Sequence, residues 1–218
     1  MTGLIIKDLL NLKKYLRTLL GVIIIYVIWG YTINEPLFLG SFTSLLFVMV
    51  VVSSFAYDEA AKWNEYALTL PIKRNDFIYS KYILSLLFMV IGTLISLFSM
   101  LSFYIIKEQT IPITDITTNL VVSLVLSAFY ISLIIPITVK LGVEKSRFTS
   151  VAIFLVPVII VLMGAKLLPV SVLPTEQQLN EFFDRISSLL FITIPILIML
   201  FLALSCFITC KIFSKKEY

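Results

Sequence analysis

The 218-residue sequence contains no histidine and only two cysteines. Without histidine the chain cannot form a serine–histidine triad, an HExxH zinc site or a histidine proton relay. Cys206 and Cys210 lie one helical turn apart, which suits neither a disulfide framework nor a complete zinc site, so we expect small, reduced thiols. The sequence therefore predicts no catalytic residue and no metal ion.

The chain also lacks a GxxxxGK[ST] loop, the phosphate-binding motif through which many proteins hold ATP. We expect it to be no enzyme and to hold no cofactor. Its long apolar runs contain no Asp, Glu, Lys or Arg away from their ends. A charge at mid-membrane usually marks an ion or proton pathway, so this absence disfavours a proton-driven or sodium-driven transporter.

Apolar residues, by contrast, make up 60% of the chain, and the mean hydropathy is +1.05. A single soluble core could not bury so many apolar side chains, so the composition predicts an all-α integral membrane protein. A bilayer-spanning helix needs about 20 mainly apolar residues. Six stretches meet that requirement: 18–34, 37–56, 77–105, 118–139, 150–168 and 188–210.

Lysine and arginine are distributed unevenly among the connections between these spans. Fourteen of the seventeen fall in the N-terminal segment, the second and fourth connections and the C-terminal tail, and the others are Lys107, Lys166 and Arg185. By the positive-inside rule, both termini face the cytoplasm of a multi-pass protein in the cell membrane. The net charge of +4 follows from this topology and needs no nucleic-acid partner.

Two segments outside the spans have amphipathic patterns. In 1–17, Leu4, Ile5, Leu9 and Leu12 share one face, which predicts an interfacial helix or a simple extension of the first span. In the external segment 169–187, Thr175 and Gln178 match a capping box, and a short helix follows. Its apolar residues are Leu179, Phe182, Phe183 and Ile186. This helix is either an interfacial anchor or an external gate on a transport path.

Residues 57–81 form the only long polar segment between two strongly apolar runs, with eight of the thirty formal charges. A helix here would bring Asp58 beside Lys62 and place Trp63 and Tyr66 on the opposite stripe. It should end at Leu70, because Pro71 follows. Such a helix either docks a partner protein or lies on the lipid surface.

Small and polar residues occur at helix-packing spacing inside two spans: Gly92, Ser96 and Ser99 in the third, and Ser123 and Ser127 in the fourth. Residues of this kind allow helices to approach closely and to hydrogen-bond to each other. They indicate packing within the chain, a subunit interface or the lining of a path.

Within residues 57–81, Asp58 and Glu59 are followed by Trp63 and Tyr66, then by the run Leu68-Thr69-Leu70-Pro71-Ile72-Lys73-Arg74 and finally by Ile78-x-Ser80-Lys81. This pattern resembles the permease subunits of ABC-2-type transporters. The short length and lysine-rich tail are similar to small Gram-positive permeases, including those of phenol-soluble modulin exporters. The resemblance implies one permease domain over 1–218, with an N-terminal interfacial helix, six spans and a type V exporter-like architecture.

The resemblance also implies roles for particular segments. Residues 57–76 would be the coupling segment, which docks on a separate ATP-binding subunit that holds ATP and Mg. The implied ATPase-coupling residues are Asp58, Glu59, Lys62, Trp63, Glu65, Tyr66, Lys73 and Arg74. A minor inner contact would involve Glu144, Lys145 and Arg147. Further implied partners are membrane lipid, a second permease subunit, the same or homologous, and an amphipathic peptide substrate.

Two functions follow from these observations. The favoured one is the membrane subunit of an ATP-driven exporter of amphipathic peptides or lipophilic compounds. The alternative is a membrane scaffold or sensor that transports nothing and recruits a cytoplasmic partner through residues 57–76.

Overall fold

A computed structural model describes residues 2–33, 36–67, 69, 74–110, 112–167 and 176–215, and the side chains among them apart from 38, 39, 64, 154, 157, 158 and 160–192. The described residues form seven α-helices and no strand. The helices are α1 (Thr2–Ile33), α2 (Pro36–Ala60), α3 (Trp63–Ala67), α4 (Arg74–Ile106), α5 (Ile113–Leu141), α6 (Val143–Leu167) and α7 (Glu176–Ser214). The predicted all-helical architecture is confirmed.

Five stretches of the described residues are long and apolar enough to cross a membrane: Thr2–Ile33, Gly40–Ala60, Arg74–Ile106, Ile113–Leu141 and Thr193–Ser214. They match the predicted first, second, third, fourth and sixth spans. The predicted fifth span corresponds to α6. Most side chains in the last turns of α6 are not among those that the structure describes. Six spans therefore remain a prediction.

Helices α1 and α7 are each longer than the spans predicted within them. From Thr2 onward, the predicted interfacial segment continues without a break into the first span, because no proline interrupts the run to Ile33. Leu4 and Leu12 are buried, and Ile5 and Leu9 pack against the core. The predicted apolar face of this segment is thus covered by protein. Likewise, α7 includes both the predicted external helix and the last span.

Helix α2 lies at the centre of the bundle, against α1, α4, α5 and α6, and α7 packs against α4 and α5. The core is aliphatic and aromatic, and includes Phe47, Val48, Phe88, Ile131 and Ile134. At one end, Tyr31 of α1 hydrogen-bonds to Ser102 of α4 over 2.9 Å. At the other end of the bundle lie the start of α1, the end of α2, the start of α4, the α5–α6 junction and the end of α7.

Close packing of α2 on α4 depends on Gly92. A Cβ atom at this position would lie 2.9 Å from Phe47 Cβ and 2.9 Å from the Ser44 carbonyl oxygen, and neither atom belongs to the free end of a side chain. We expect Gly92→Ala to lower the free energy of unfolding by about 1–3 kcal/mol, as overpacking does in other cores. Thermal unfolding in detergent measures this loss.

Gly21 of α1 supplies the matched control, because a Cβ there would meet nothing within 4 Å. Gly21→Ala should leave stability unchanged or raise it by up to about 1 kcal/mol through helix propensity. Equal melting temperatures for the Gly92→Ala and Gly21→Ala proteins would contradict the tight α2–α4 contact.

Candidate functional site

Two lysines and two aspartates form a buried ion cluster where α1, α2 and α4 meet. Lys81 Nζ donates hydrogen bonds to Asp8 Oδ2 over 2.9 Å, to Asp58 Oδ2 over 2.5 Å and to Ser54 Oγ over 2.6 Å. Lys7 Nζ donates to Asp58 Oδ1 over 2.5 Å. It also lies 3.0 Å from Asp8 Oδ1, which accepts no hydrogen bond from the described residues and is held by charge alone.

The formal charges of this ion cluster balance, which is the condition for burying it. Lys81 is 0% exposed, Asp8 1% and Asp58 3%, while Lys7 reaches the surface at 20%. Burial of a lone charge is costly, and removal of one partner from a buried pair typically costs about 3–5 kcal/mol. The cluster therefore ties three helix ends together, and it holds them only while all its charges are present.

A turn separates α2 from α3 just beyond the ion cluster. Helix α2 ends at Ala60, Lys62 has a positive φ of 47°, and α3 begins at Trp63. The expectation that one helix holds Asp58 beside Lys62 and continues towards Leu70 is wrong, because α2 ends at Ala60 and α3 begins at Trp63. The left-handed residue redirects the chain, while Asp58 points inward to Lys81.

The redirected chain places Trp63 against the ion cluster. Lys7 Nζ lies 4.3 Å from the centre of the Trp63 ring, a cation–π contact, and Trp63 packs on the hydrophobic core. The Tyr66 ring lies 5.3 Å from the Trp63 ring but is 57% exposed, and Glu65 beside it is exposed too. Trp63 is thus an internal anchor, and Glu65 and Tyr66 form the outward surface.

Glu59 links this segment to the α5–α6 junction. Its Oε2 accepts a hydrogen bond of 2.9 Å from the backbone N–H of Val143, the first residue of α6. A carboxylate at a helix N-terminus satisfies a free donor and complements the helix dipole. Gly142, with φ of 84°, makes the turn, and a Cβ there would lie 3.4 Å from Glu59 Oε1.

The predicted site residues differ in their exposure and in whether the structure describes them. Glu59, Lys62, Glu65 and Tyr66 are exposed, as are the predicted minor contacts Glu144, Lys145 and Arg147 in the first turns of α6. Arg74 begins α4 and donates to the Ser214 carbonyl at the end of α7 over 3.1 Å. Lys73 lies outside the described residues. Leu179, Phe182, Phe183 and Ile186 belong to α7, but their side chains are not described.

Sequence reasoning missed the ion cluster, although a signal was available. Leu4, Asp8 and Leu12 recur every four residues in α1, and all three are buried. Lys81 falls on the face of α4 that also carries Phe77, Leu84 and Phe88. Charged residues that share a helix face with buried apolar residues indicate a buried partner of opposite charge. Position near the ends of the spans, taken alone, places these residues in the connections instead.

A second polar group lies deeper in the bundle. Ser96 Oγ donates to Asn119 Oδ1 over 2.9 Å and lies 3.1 Å from Ser123 Oγ, and Ser44 Oγ lies 3.4 Å from Ser127 Oγ. These contacts join α2, α4 and α5 within one chain, which confirms intramolecular packing for Ser96, Ser123 and Ser127.

Comparison with known proteins identifies the family. The family model described as "ABC-2 family transporter protein" matches residues 3–214, nearly the whole chain. The chain belongs to the ABC-2 transporter family. Neither the curated proteins nor the solved structures contain a significant match.

Family membership and the apolar helices together make this ABC-2 permease a multi-pass membrane protein. The resemblance to ABC-2 permeases is confirmed, while the narrower likeness to the permeases of phenol-soluble modulin exporters stays a prediction. Membership also implies a lipid environment and the ATPase partner typical of such permeases.

Proposed function

We propose that this protein is the membrane-spanning subunit of an ATP-driven exporter, and that a separate subunit hydrolyses the ATP. One observation supports this most strongly: an exposed acidic and aromatic surface, Glu65 and Tyr66, is fixed to several helices through contacts behind it. A scaffold that only recruits a partner needs such a surface, but it does not need rigid connections from that surface to the transmembrane helices.

We call the exposed side of residues 59–66 the docking surface. Three connections lead into the bundle from this surface and from the adjoining Asp58. Trp63 contacts Lys7 of α1, Asp58 bonds to Lys81 of α4, and Glu59 holds the start of α6. A displacement of residues 58–66 would reach α1, α2, α4 and α6 together, because cation–π contacts and charged hydrogen bonds resist separation. Closure of an ATPase against this surface would thus move several helices at once.

The cargo we propose is an amphipathic peptide or a lipophilic compound, moved outward by a pair of permease subunits, identical or homologous. The sequence resemblance to small exporter permeases supports this choice. The alternation of Leu179, Phe182, Phe183 and Ile186 with charged residues supports an exit gate that stays closed to ions and parts for an apolar surface.

The orientation follows from the charge distribution, with the ion-cluster end in the cytoplasm. In a variant that lacks Cys206 and Cys210, we expect Lys107→Cys to react with an impermeant thiol reagent on intact cells. Lys145→Cys should react only after permeabilisation, because the two exposed lysines lie at opposite ends of the bundle. Reaction of Lys145→Cys on intact cells, with protection of Lys107→Cys, would invert the topology.

The function itself is tested by reconstitution with the ATP-binding subunit that co-purifies with this permease from its own cells. Vesicles that contain both subunits should accumulate a fluorescent amphipathic peptide when ATP is added outside, and a variant ATPase without its Walker A lysine should abolish that uptake. Binding of the ATPase without any ATP-dependent movement of peptide or lipophilic dye would favour the scaffold.

A further inference from the structure

A groove runs between the start of α4 and the end of α7, at the ion-cluster end of the molecule. It encloses about 570 Å³. Its lining residues are Asn75, Tyr79, Ala203, Cys206, Phe207, Cys210, Lys211 and Ser214. A second, smaller groove of about 300 Å³ adjoins it, shares Phe207 and Lys211 with it, and includes Lys215. None of these residues takes part in the contacts that connect the docking surface to the bundle.

The chemistry of the groove changes along its length. Its polar end carries Asn75, Lys211 and Ser214, and its apolar end carries Ala203 and Phe207. Ala203 and Ser214 are eleven residues apart on one helix, which corresponds to about 16 Å along its axis. A groove of this length accommodates a molecule with a polar head and an apolar chain, with the head at the helix end and the chain toward mid-membrane.

The charge at the polar end selects the head group. Lys211 and Lys215 are exposed, and among the residues the structure describes neither joins an ion pair. Among the residues that the structure describes, the acid in the first turn of α4 is the half-buried Asp76, so the described cations at this end outnumber the described acids. Cations in the last turn of a helix also complement its dipole, but this role requires no adjoining groove.

We propose that this groove binds an anionic phospholipid of the inner leaflet, with the phosphate near Lys211 and Lys215 and an acyl chain along Phe207 and Ala203. Basic pockets between transmembrane helices on the cytoplasmic side are suited to such head groups. Because the groove joins α4 to α7, bound lipid would bridge the helix that carries Lys81 and the final span.

The two cysteines of the chain allow a direct test, since both line the groove and the chain has no others. The purified protein is titrated in mixed micelles with phosphatidylglycerol or phosphatidylcholine, and the rate of thiol alkylation is measured. We expect phosphatidylglycerol to slow alkylation at much lower mole fractions than phosphatidylcholine. Soluble glycerol phosphate should give no protection, because it lacks the acyl chain.

Paired charge variants show whether the lysines are responsible. Lys211→Gln with Lys215→Gln should raise the half-protecting fraction of phosphatidylglycerol about 25-fold, or about fivefold for each lysine near an anionic surface. Lys13→Gln with Lys14→Gln, which removes two exposed cations from α1, should leave it unchanged. Equal protection by the two lipids, or protection that survives loss of Lys211 and Lys215, would overturn the proposal. Protection by glycerol phosphate would show a phosphate site instead of a lipid site.

Discussion

Lys81→Met should reduce the stability of this permease more than Gly92→Ala does. The methionine fills a similar volume, but it leaves Asp8 and Asp58 buried with only Lys7 to balance two negative charges. Loss of one partner from a buried ion pair typically costs about 3–5 kcal/mol. We expect a large fall in the melting temperature in detergent and little folded protein in the membrane.

Two variants separate the charge effect from the loss of a lysine. Lys62→Met, at an exposed lysine outside the ion cluster, should leave the melting temperature almost unchanged. Lys81→Met combined with Asp58→Asn restores neutrality and should recover part of the lost stability. A Lys81→Met protein as stable as the unmodified permease would mean that the cluster does not hold the helix ends together.

The second large effect is expected at the docking surface. Tyr66→Ala with Glu65→Lys removes an exposed aromatic ring and reverses a charge without touching the core. Interface hot spots are commonly aromatic and are worth about 2 kcal/mol or more, so affinity for the ATPase should fall at least about 30-fold. Co-purification and permease-stimulated ATP hydrolysis should both drop, while abundance and melting temperature stay constant.

Tyr15→Ala is the matched control for this pair, because Tyr15 is a surface tyrosine of α1, 39% exposed, that is outside the docking surface. It should bind and stimulate the ATPase normally. Trp63→Ala should behave differently again and lose both stability and docking, because this ring packs on the core and on Lys7. If the Tyr66→Ala and Glu65→Lys pair bound the ATPase normally, residues 59–66 would not be the docking element.

The helical fold could be predicted from the sequence because hydrophobic runs of span length have few alternatives in a bilayer. The spacing of Gly92, Ser96 and Ser123 predicted close helix contacts, since small side chains allow close approach, but it left open whether those contacts lie within the chain, between subunits or along a path. The end of α2 was harder to predict. Neither proline nor glycine lies between Ala60 and Trp63 to indicate the break at Lys62. The break accompanies the contact of Trp63 with Lys7 of α1, more than fifty residues away in the chain.

The division of residues 58–66 into buried contacts and an exposed surface could not be predicted either. A helical wheel places Asp58 and Glu65 on a polar face, but it does not show which carboxylate meets Lys81. That pairing depends on how α1 and α4 lie against α2, which local sequence does not determine. Asn119 is a similar case: it is fully buried beside Gly40, yet nothing in its neighbouring residues distinguishes it from a surface amide.

Photo-crosslinking tests most directly whether the ATPase docks on residues 59–66 at the ion-cluster end. A benzophenone amino acid is introduced at Tyr66, which is 57% exposed, or at Ile113, which is 78% exposed at the opposite end. Irradiation of cells that express both subunits should join the ATPase to the permease from position 66 and not from position 113. Crosslinking from 113 alone, or from neither position in a complex that still co-purifies, would contradict this account.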